Sequence, residues 1–258
     1  RPPGGPPAGR GPRAGRPAGG PGGPMVVYGR NAVREALRGP RAVARVWATA
    51  GAAREPWLAG AGVPVEPVAD AGALERIAGS PDHQGVAARV APFRYADADA
   101  LLAVPQPLIV ALDEIQDPQN LGAIARTAEC AGATGLVLPE RRSAHVTAAV
   151  CKASAGAVEH LPIARVRNLA DFLADARRAG AWVYGADGGA PVGHAAVDYR
   201  GVGVVLVLGS EGRGLRPRVA DTCDALVALP LRGRIGSLNV SAAAAALLYE
   251  IVRQRDAA

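Results

Sequence analysis

Cysteine is scarce in this chain, with three among 258 residues. Cys130, Cys151 and Cys223 lie far apart and make no CxxC pair. Neither a disulfide framework nor a cysteine metal site is expected, and a reducing compartment fits. Cys130 and Cys151 fall in helix-like runs and read as buried thiols. Long apolar runs are also lacking. None approaches the roughly 20 residues of a membrane-spanning helix. The most apolar stretch, Ala242 to Leu248, is alanine-rich and runs into Tyr249 and Glu250, which suits a packed helix. No apolar central region marks a secretory signal, so no membrane partner and a cytoplasmic location are expected. His83, His145, His160 and His194 are scattered, so no metal is expected either; His83 reads as structural or as facing a nucleic acid. Acids are absent from residues 1–24, where Arg1, Arg10, Arg13 and Arg16 supply +4 of the net +6. The remaining +2 says little about a polyanionic partner.

What is present supports a core: 49% of residues are hydrophobic and 20% charged. Residues 1–24, almost wholly Gly, Pro, Ala and Arg, cannot bury enough apolar surface to order themselves and should be disordered. They are either a basic arm on phosphates or a solubilising tail. Residues 25–96 read as a small α/β unit. It has helices over Asn31 to Leu37 and over Ala71 to Ile77 with Asp70 as N-cap. A further helical stretch over Ala52 to Leu58 is limited by Pro56. Strands are expected over Val43 to Trp47, Val63 to Val65 and Val86 to Val90. Residues 97–105 read as a linker.

Residues 106–258 alternate more regularly. Strands are expected over Leu108–Leu112, Gly135–Leu138, Ala181–Tyr184, Val204–Leu208 and Leu226–Leu229. Helices are expected over Leu121–Cys130, Val146–Ala155, Leu169–Arg178 and Asn239–Gln254. Strands separated by helices imply a parallel sheet covered on both faces.

Three polar segments each follow the C-terminal end of an expected strand, where open α/β sheets bind ligands. The first runs from Asp113 to Arg126. Asn120 there is a good helix cap, and Arg126 is either a surface ion pair with Glu129 or Asp117, or an arginine aimed at a phosphate or ribose. The second, Leu208-Gly-Ser-Glu211-Gly-Arg-Gly214-Leu, is a glycine turn that lets a ligand approach the backbone. Its GxxGxG spacing fits a dinucleotide site badly, and Glu211 alone has no obvious role. The third runs from Leu229-Pro-Leu to Ser237-Leu-Asn239-Val-Ser241. Capping explains one or two of its small polar residues, not all three. Arg213, Arg216, Arg218, Arg232 and Arg234 flank the last two segments, a local clustering that favours a phosphate-rich partner.

In this order the segments resemble the three motifs of the SpoU (TrmH-type) RNA 2′-O-ribose methyltransferases, over roughly residues 106–254. Tyr28-Gly-Arg-Asn-Ala-Val and Asp82-His-Gln-Gly-Val86 resemble the substrate-binding domain of the subgroup that methylates a guanosine of 23S ribosomal RNA. The resemblance implies an α/β, SPOUT-type methyltransferase domain with a trefoil knot, preceded by a ribosomal L30e-like RNA-binding domain. It implies S-adenosylmethionine as cofactor, bound by the backbones of Gly209, Leu229 and Leu238. It implies catalytic roles for Arg126, Asn120, Glu211, Ser237 and Asn239, and a homodimer with its active sites at the interface. The long tail and the basic Arg232 and Arg234 depart from the family pattern. A transfer-RNA enzyme or a resistance methyltransferase of the same fold remains open, as does a non-catalytic RNA-binding protein.

Overall fold

The computed structural model describes residues 23–257. The expectation for the tail therefore lies outside the described residues, apart from Gly23 and Pro24. The N-terminal unit is a four-stranded sheet formed by β1 (Met25–Tyr28), β2 (Val43–Ala48), β3 (Val65–Pro67) and β4 (Val86–Val90), ordered β1-β4-β2-β3. β4 pairs antiparallel with both neighbours, and β3 runs parallel to β2. Strand β1 went unread in the sequence, and β3 begins at the residue where the expected strand ended. Helices α1 (Arg30–Arg38), α2 (Pro56–Ala59) and α3 (Ala71–Ala78) complete the unit. Asp70 caps α3 as expected, accepting from the Ala73 amide at 2.7 Å. The helical stretch over residues 52–58 is broken in two. Pro56 lacks an N–H and pushes Glu55 into extended backbone (φ −65°, ψ 124°), so a short 3-10 turn ends before α2 starts.

Residues 97–105 include a short helix, α4 (Ala98–Leu102), capped by Asp97 and with Leu101 buried. Beyond it lies a seven-stranded sheet made of β5 (Leu108–Asp113), β6 (Gly135–Pro139), β7 (Ile163–Val166), β8 (Ala181–Ala186), β9 (Val192–Gly193), β10 (Gly203–Gly209) and β11 (Ala225–Ala228). The order is β7-β6-β5-β10-β8-β11-β9, with every pairing parallel. The connecting helices are α5 (Pro118–Cys130), α6 (Ala148–Ala153), α7 (Leu169–Arg178) and α8 (Pro217–Thr222), and α9 (Val240–Asp256) follows the last strand. Strand alternation divides the core. Val110, Leu112, Leu206 and Leu208 pack with Leu121, Ile124, Val150 and Leu247 on one face. Ile109, Ala111, Val205 and Val207 pack with Leu101, Leu169, Phe172 and Val219 on the other. Helices α5 and α6 approach closely at Gly122, where a Cβ would lie 2.4 Å from that of Ala153.

The two units share one continuous apolar cluster, which joins Val27, Val33 and Val86 to residues of α5 and α6. A buried ion pair spans the same junction. Arg41 donates from Nε to Glu159 at 2.7 Å and pairs with it again through Nη2. Burial works against the Arg41 cation, but the Glu159 carboxylate outweighs it and raises the guanidinium above its ordinary range. The Val146 amide also donates to the Tyr95 hydroxyl at 3.0 Å, and Ala96 bridges to Ala164 of β7.

The cysteines depart from the sequence reading in one case. Cys151 is buried, but Cys130 is exposed at the end of α5. Burial pushes the Cys151 thiol up to about 11, and burial together with Asp224 pushes Cys223 up to about 12. Thiolate, not thiol, is the nucleophile. Titration of the native protein with a thiol reagent near neutral pH is therefore expected to modify Cys130 first, with the other two following only on denaturation. Replacing Glu159 by Gln strands a buried cation and should cost about 3–5 kcal/mol in urea unfolding, whereas pairing Arg41→Met with Glu159→Leu should recover most of that loss.

Candidate active site

The site is set by strand register. β10 pairs with β5 so that Leu208 faces Leu112 and Gly209 faces Asp113. Both strands end at the same level, and the loops that follow them emerge side by side. The loop after β10 closes on itself: the Ser210 amide donates to the Gly214 carbonyl at 3.1 Å and the Gly214 amide to the Ser210 carbonyl at 2.9 Å. A Cβ on Gly209 would lie 2.2 Å from the Gly214 carbonyl carbon. The first glycine of the GxxGxG run is thus required by loop closure itself.

The loop presents Glu211. One oxygen of its carboxylate accepts from Asn120 Nδ2 at 3.1 Å and from Asn239 Nδ2 at 2.7 Å. Asn239 Nδ2 also donates to Asn120 Oδ1 at 3.0 Å. A closed triangle of side chains therefore ties all three polar segments together. The sequence placed Asn120 as a helix cap, and the structure corrects this. Asp117 caps α5, accepting from the Gln119 amide, and Pro118 takes the first helical position. Asn120 lies within the first turn, buried, with its whole amide available to Glu211 and Asn239. Asn239 does cap α9: its Oδ1 accepts from the Ser241 amide at 2.9 Å and the Ser241 hydroxyl at 2.6 Å.

Beside this triangle is a cavity of about 260 Å³, lined by Gly209, Glu211, Leu229, Ser237 and Leu238 among others. Apolar side chains of Val227, Val240 and Leu247 form part of its wall, and Ala186, Asp187 and Gly188 form another part. Those last three escaped sequence reading. Their only signal was an Asp-Gly-Gly turn after a strand, which many surface turns share.

Arg126 stands apart. It lies six residues beyond Asn120, about 9 Å further along the helix, is exposed, and does not line the cavity. Among the described residues it makes neither of the ion pairs weighed for it, with Glu129 or Asp117. The flanking arginines divide into two sets. Arg216 binds Asp113 through Nε at 2.7 Å and Arg218 binds Asp171 at 2.7 Å. Arg213, Arg232 and Arg234 are exposed on the loops around the cavity. His83 is buried, and its Nδ1 accepts from the Gly85 amide at 3.0 Å, a structural role.

The SpoU rRNA methylase family pattern matches residues 107–249, and the pattern for RNA 2′-O ribose methyltransferase substrate binding matches residues 26–96. A Bacillus subtilis protein classed with the TrmH family tRNA/rRNA methyltransferases is 39% identical over 241 residues, covering 89% of this chain and 96% of its own. The SpoU methyltransferase AviRb of Streptomyces viridochromogenes, in complex with AdoMet, superimposes with a TM-score of 0.76 at 27% identity over 90% of each chain. An AdoMet-bound rRNA methyltransferase of Sinorhizobium meliloti gives 0.75 at 29% identity, covering 89% of this chain and 87% of that one. With more than half of its length inside the family pattern and a relative of this identity along nearly all of the described region, the chain belongs to the SpoU rRNA methylase family.

Proposed function

We propose that the protein transfers a methyl group from S-adenosylmethionine to a ribose 2′-hydroxyl of RNA, with a guanosine of 23S ribosomal RNA as the target. The Asn120–Glu211–Asn239 triangle beside the cavity carries this reading, because it unites the three motif segments at one point. The residues present suit the cofactor. Val227, Leu229, Val240 and Leu247 offer an apolar wall for a flat base, and Gly209 and Gly212 of the glycine loop line the same cavity. Gly209, Leu229 and Leu238 are assigned to hold it through their backbones. The bound cofactor supplies an electrophilic methyl on a positively charged sulfur.

The chain's own groups must orient the hydroxyl and ease loss of its proton. Glu211, Asn120, Asn239 and Ser237 are assigned to hold the reacting groups, with the triangle keeping the loops rigid. An arginine is a poor base, since its ordinary pKa exceeds about 12. Arg126 is therefore assigned to grip the phosphate beside the target ribose and favour the developing alkoxide. Its distance from the cavity within one chain supports a homodimer in which a second copy completes the site. Exposed apolar side chains support it too: Leu231, Ile235 and Leu238 on the third motif's loop and Tyr249 on α9. The trefoil knot and the docking of residues 25–96 onto ribosomal RNA belong to the same reading.

The direct test is methylation of in-vitro transcribed 23S and transfer RNA with labelled cofactor, followed by primer-extension mapping of 2′-O-methyl positions. Label confined to a 23S guanosine ribose is expected; label in transfer RNA alone overturns the target, and no label in any RNA overturns the activity. Arg126→Lys should lower kcat by about 100-fold while leaving cofactor affinity near wild type. Near-normal turnover in that variant removes Arg126 from the chemistry. Glu211→Gln weakens the charge-assisted bonds of the triangle, worth about 1.5–3 kcal/mol, and should weaken cofactor binding by calorimetry about tenfold.

A further inference from the structure

The loops after β5 and β6 leave neighbouring strands of the sheet. Each turns through a residue that is not glycine yet sits in the left-handed region, Glu114 at φ 59° and Arg142 at φ 57°. Such conformations persist only where the surroundings enforce them, and they gather at functional sites. Here the surroundings are explicit. The Ser143 hydroxyl and the Ala144 amide both donate to the Ile115 carbonyl, at 3.3 and 2.8 Å, which straps the two loops together.

The strap brings the side chains of the two strained residues into contact. Arg142 Nη1 lies 3.5 Å from Glu114 Oε1, and Arg216 Nη1 lies 3.6 Å from the same oxygen. Glu114 is only 8% exposed, and that oxygen has no hydrogen bond. Arg216 is committed elsewhere, with its amide and Nε both donating to Asp113. Arg142 is not: its side chain is 75% exposed. It overhangs a groove of about 360 Å³ lined by Gln116, Pro118, His145 and Thr147. Pro118 opens the thirteen-residue α5, whose N-terminus carries partial positive charge. Asn120, two residues on in the same turn, already belongs to the triangle. The groove and the triangle therefore share the first turn of α5.

We propose that this groove binds a phosphate of the RNA substrate close to the target nucleotide, with Arg142 making the contact and Glu114 as the positioning residue that holds Arg142 over it. This rests on the reading of the protein as an RNA methyltransferase. A buried carboxylate that attracts a guanidinium without hydrogen-bonding it orients the arginine and leaves its planar donor edge unspent. A phosphate takes two parallel N–H···O bonds from such an edge and competes well for it. Glu114 also tempers the attraction for phosphates in general, so the subsite favours RNA that brings a phosphate to this one position.

The test is fluorescence-anisotropy binding of a 23S ribosomal RNA transcript and of a random-sequence RNA at several salt concentrations, with calorimetric cofactor binding for each protein. Arg142→Asn removes the charge yet tolerates left-handed backbone; Arg142→Lys keeps the charge and loses the fork. Arg142→Asn should weaken 23S binding about tenfold and reduce the salt slope by about one phosphate contact, with cofactor affinity within twofold. Arg142→Lys should fall between. Glu114→Gln should tighten binding of random-sequence RNA and narrow its gap from the 23S transcript. Wild-type affinity and salt slope in Arg142→Asn overturn the subsite, and reduced thermal stability without a change in salt slope assigns the pair to structure alone. Failure of the wider reading shows separately, as a wild-type protein that binds no cofactor or methylates no RNA, while the binding comparison still reads the groove.

Discussion

The parallel pairing of β10 with β5 is the constraint on which the site depends. The buried apolar side chains of these strands divide between two helical layers, so a slip of one residue would turn each apolar set toward the wrong layer. Held in this register, Gly209 lies level with Asp113. The loops beyond them then emerge close enough for Asn120, Glu211 and Asn239 to meet, and for Arg216 to reach across to Asp113. The triangle contributes modest energy beside the burial of so many aliphatic side chains. Its effect is geometric, since it ties the first turn of α5, the glycine loop and the cap of α9 into one arrangement.

A second constraint links this sheet to the N-terminal unit. The apolar cluster runs through the junction, and Arg41 and Glu159 close it with a buried, doubly hydrogen-bonded pair. Removing two charges from water costs more than most exposed contacts repay, so such a pair contributes more to fixing one arrangement than to raw stability. Helix α6 stands at the centre of this arrangement. It packs on Gly122 of α5 in the site-bearing unit, and its Lys152 lies against Gly29 of the other. The family's substrate-binding segment, residues 26–96, is thereby held at a defined angle to the cavity.

Two of the five non-glycine residues with positive φ among the described residues, Glu114 and Arg142, lie in the loops just beyond the C-terminal ends of β5 and β6. In the glycine loop Gly212 and Gly214 also take positive φ, 80° and 66°, which glycine adopts without strain. The central strands beneath, β5, β6 and β10, are buried along almost their whole length, a regular platform for the irregular loops above them.

Much of this architecture was legible in the residues. Period-2 and period-3.6 patterns located most strands and helices, since those periods follow directly from backbone geometry. The cap at Asp70 was legible because capping is local chemistry, and the three polar segments were legible because each follows a strand. Other features needed the tertiary structure. Asn120 read as a cap because its type favours one; only the fold shows that Asp117 takes that place and that Asn120 faces Glu211, 91 residues away. Cys130 and Cys151 looked alike in sequence, yet one is exposed and the other buried, because burial depends on what packs against a helix. The Arg41–Glu159 pair spans 118 residues and the Glu114–Arg142 contact joins two separate loops, and no local pattern encodes either. The sequence by itself determined which elements form and which polar residues follow the strands, because those depend on near neighbours along the chain. The tertiary structure decided which of those residues meet, and that Arg126 stands apart from the cavity, because side chains distant in sequence come together only through strand order and register.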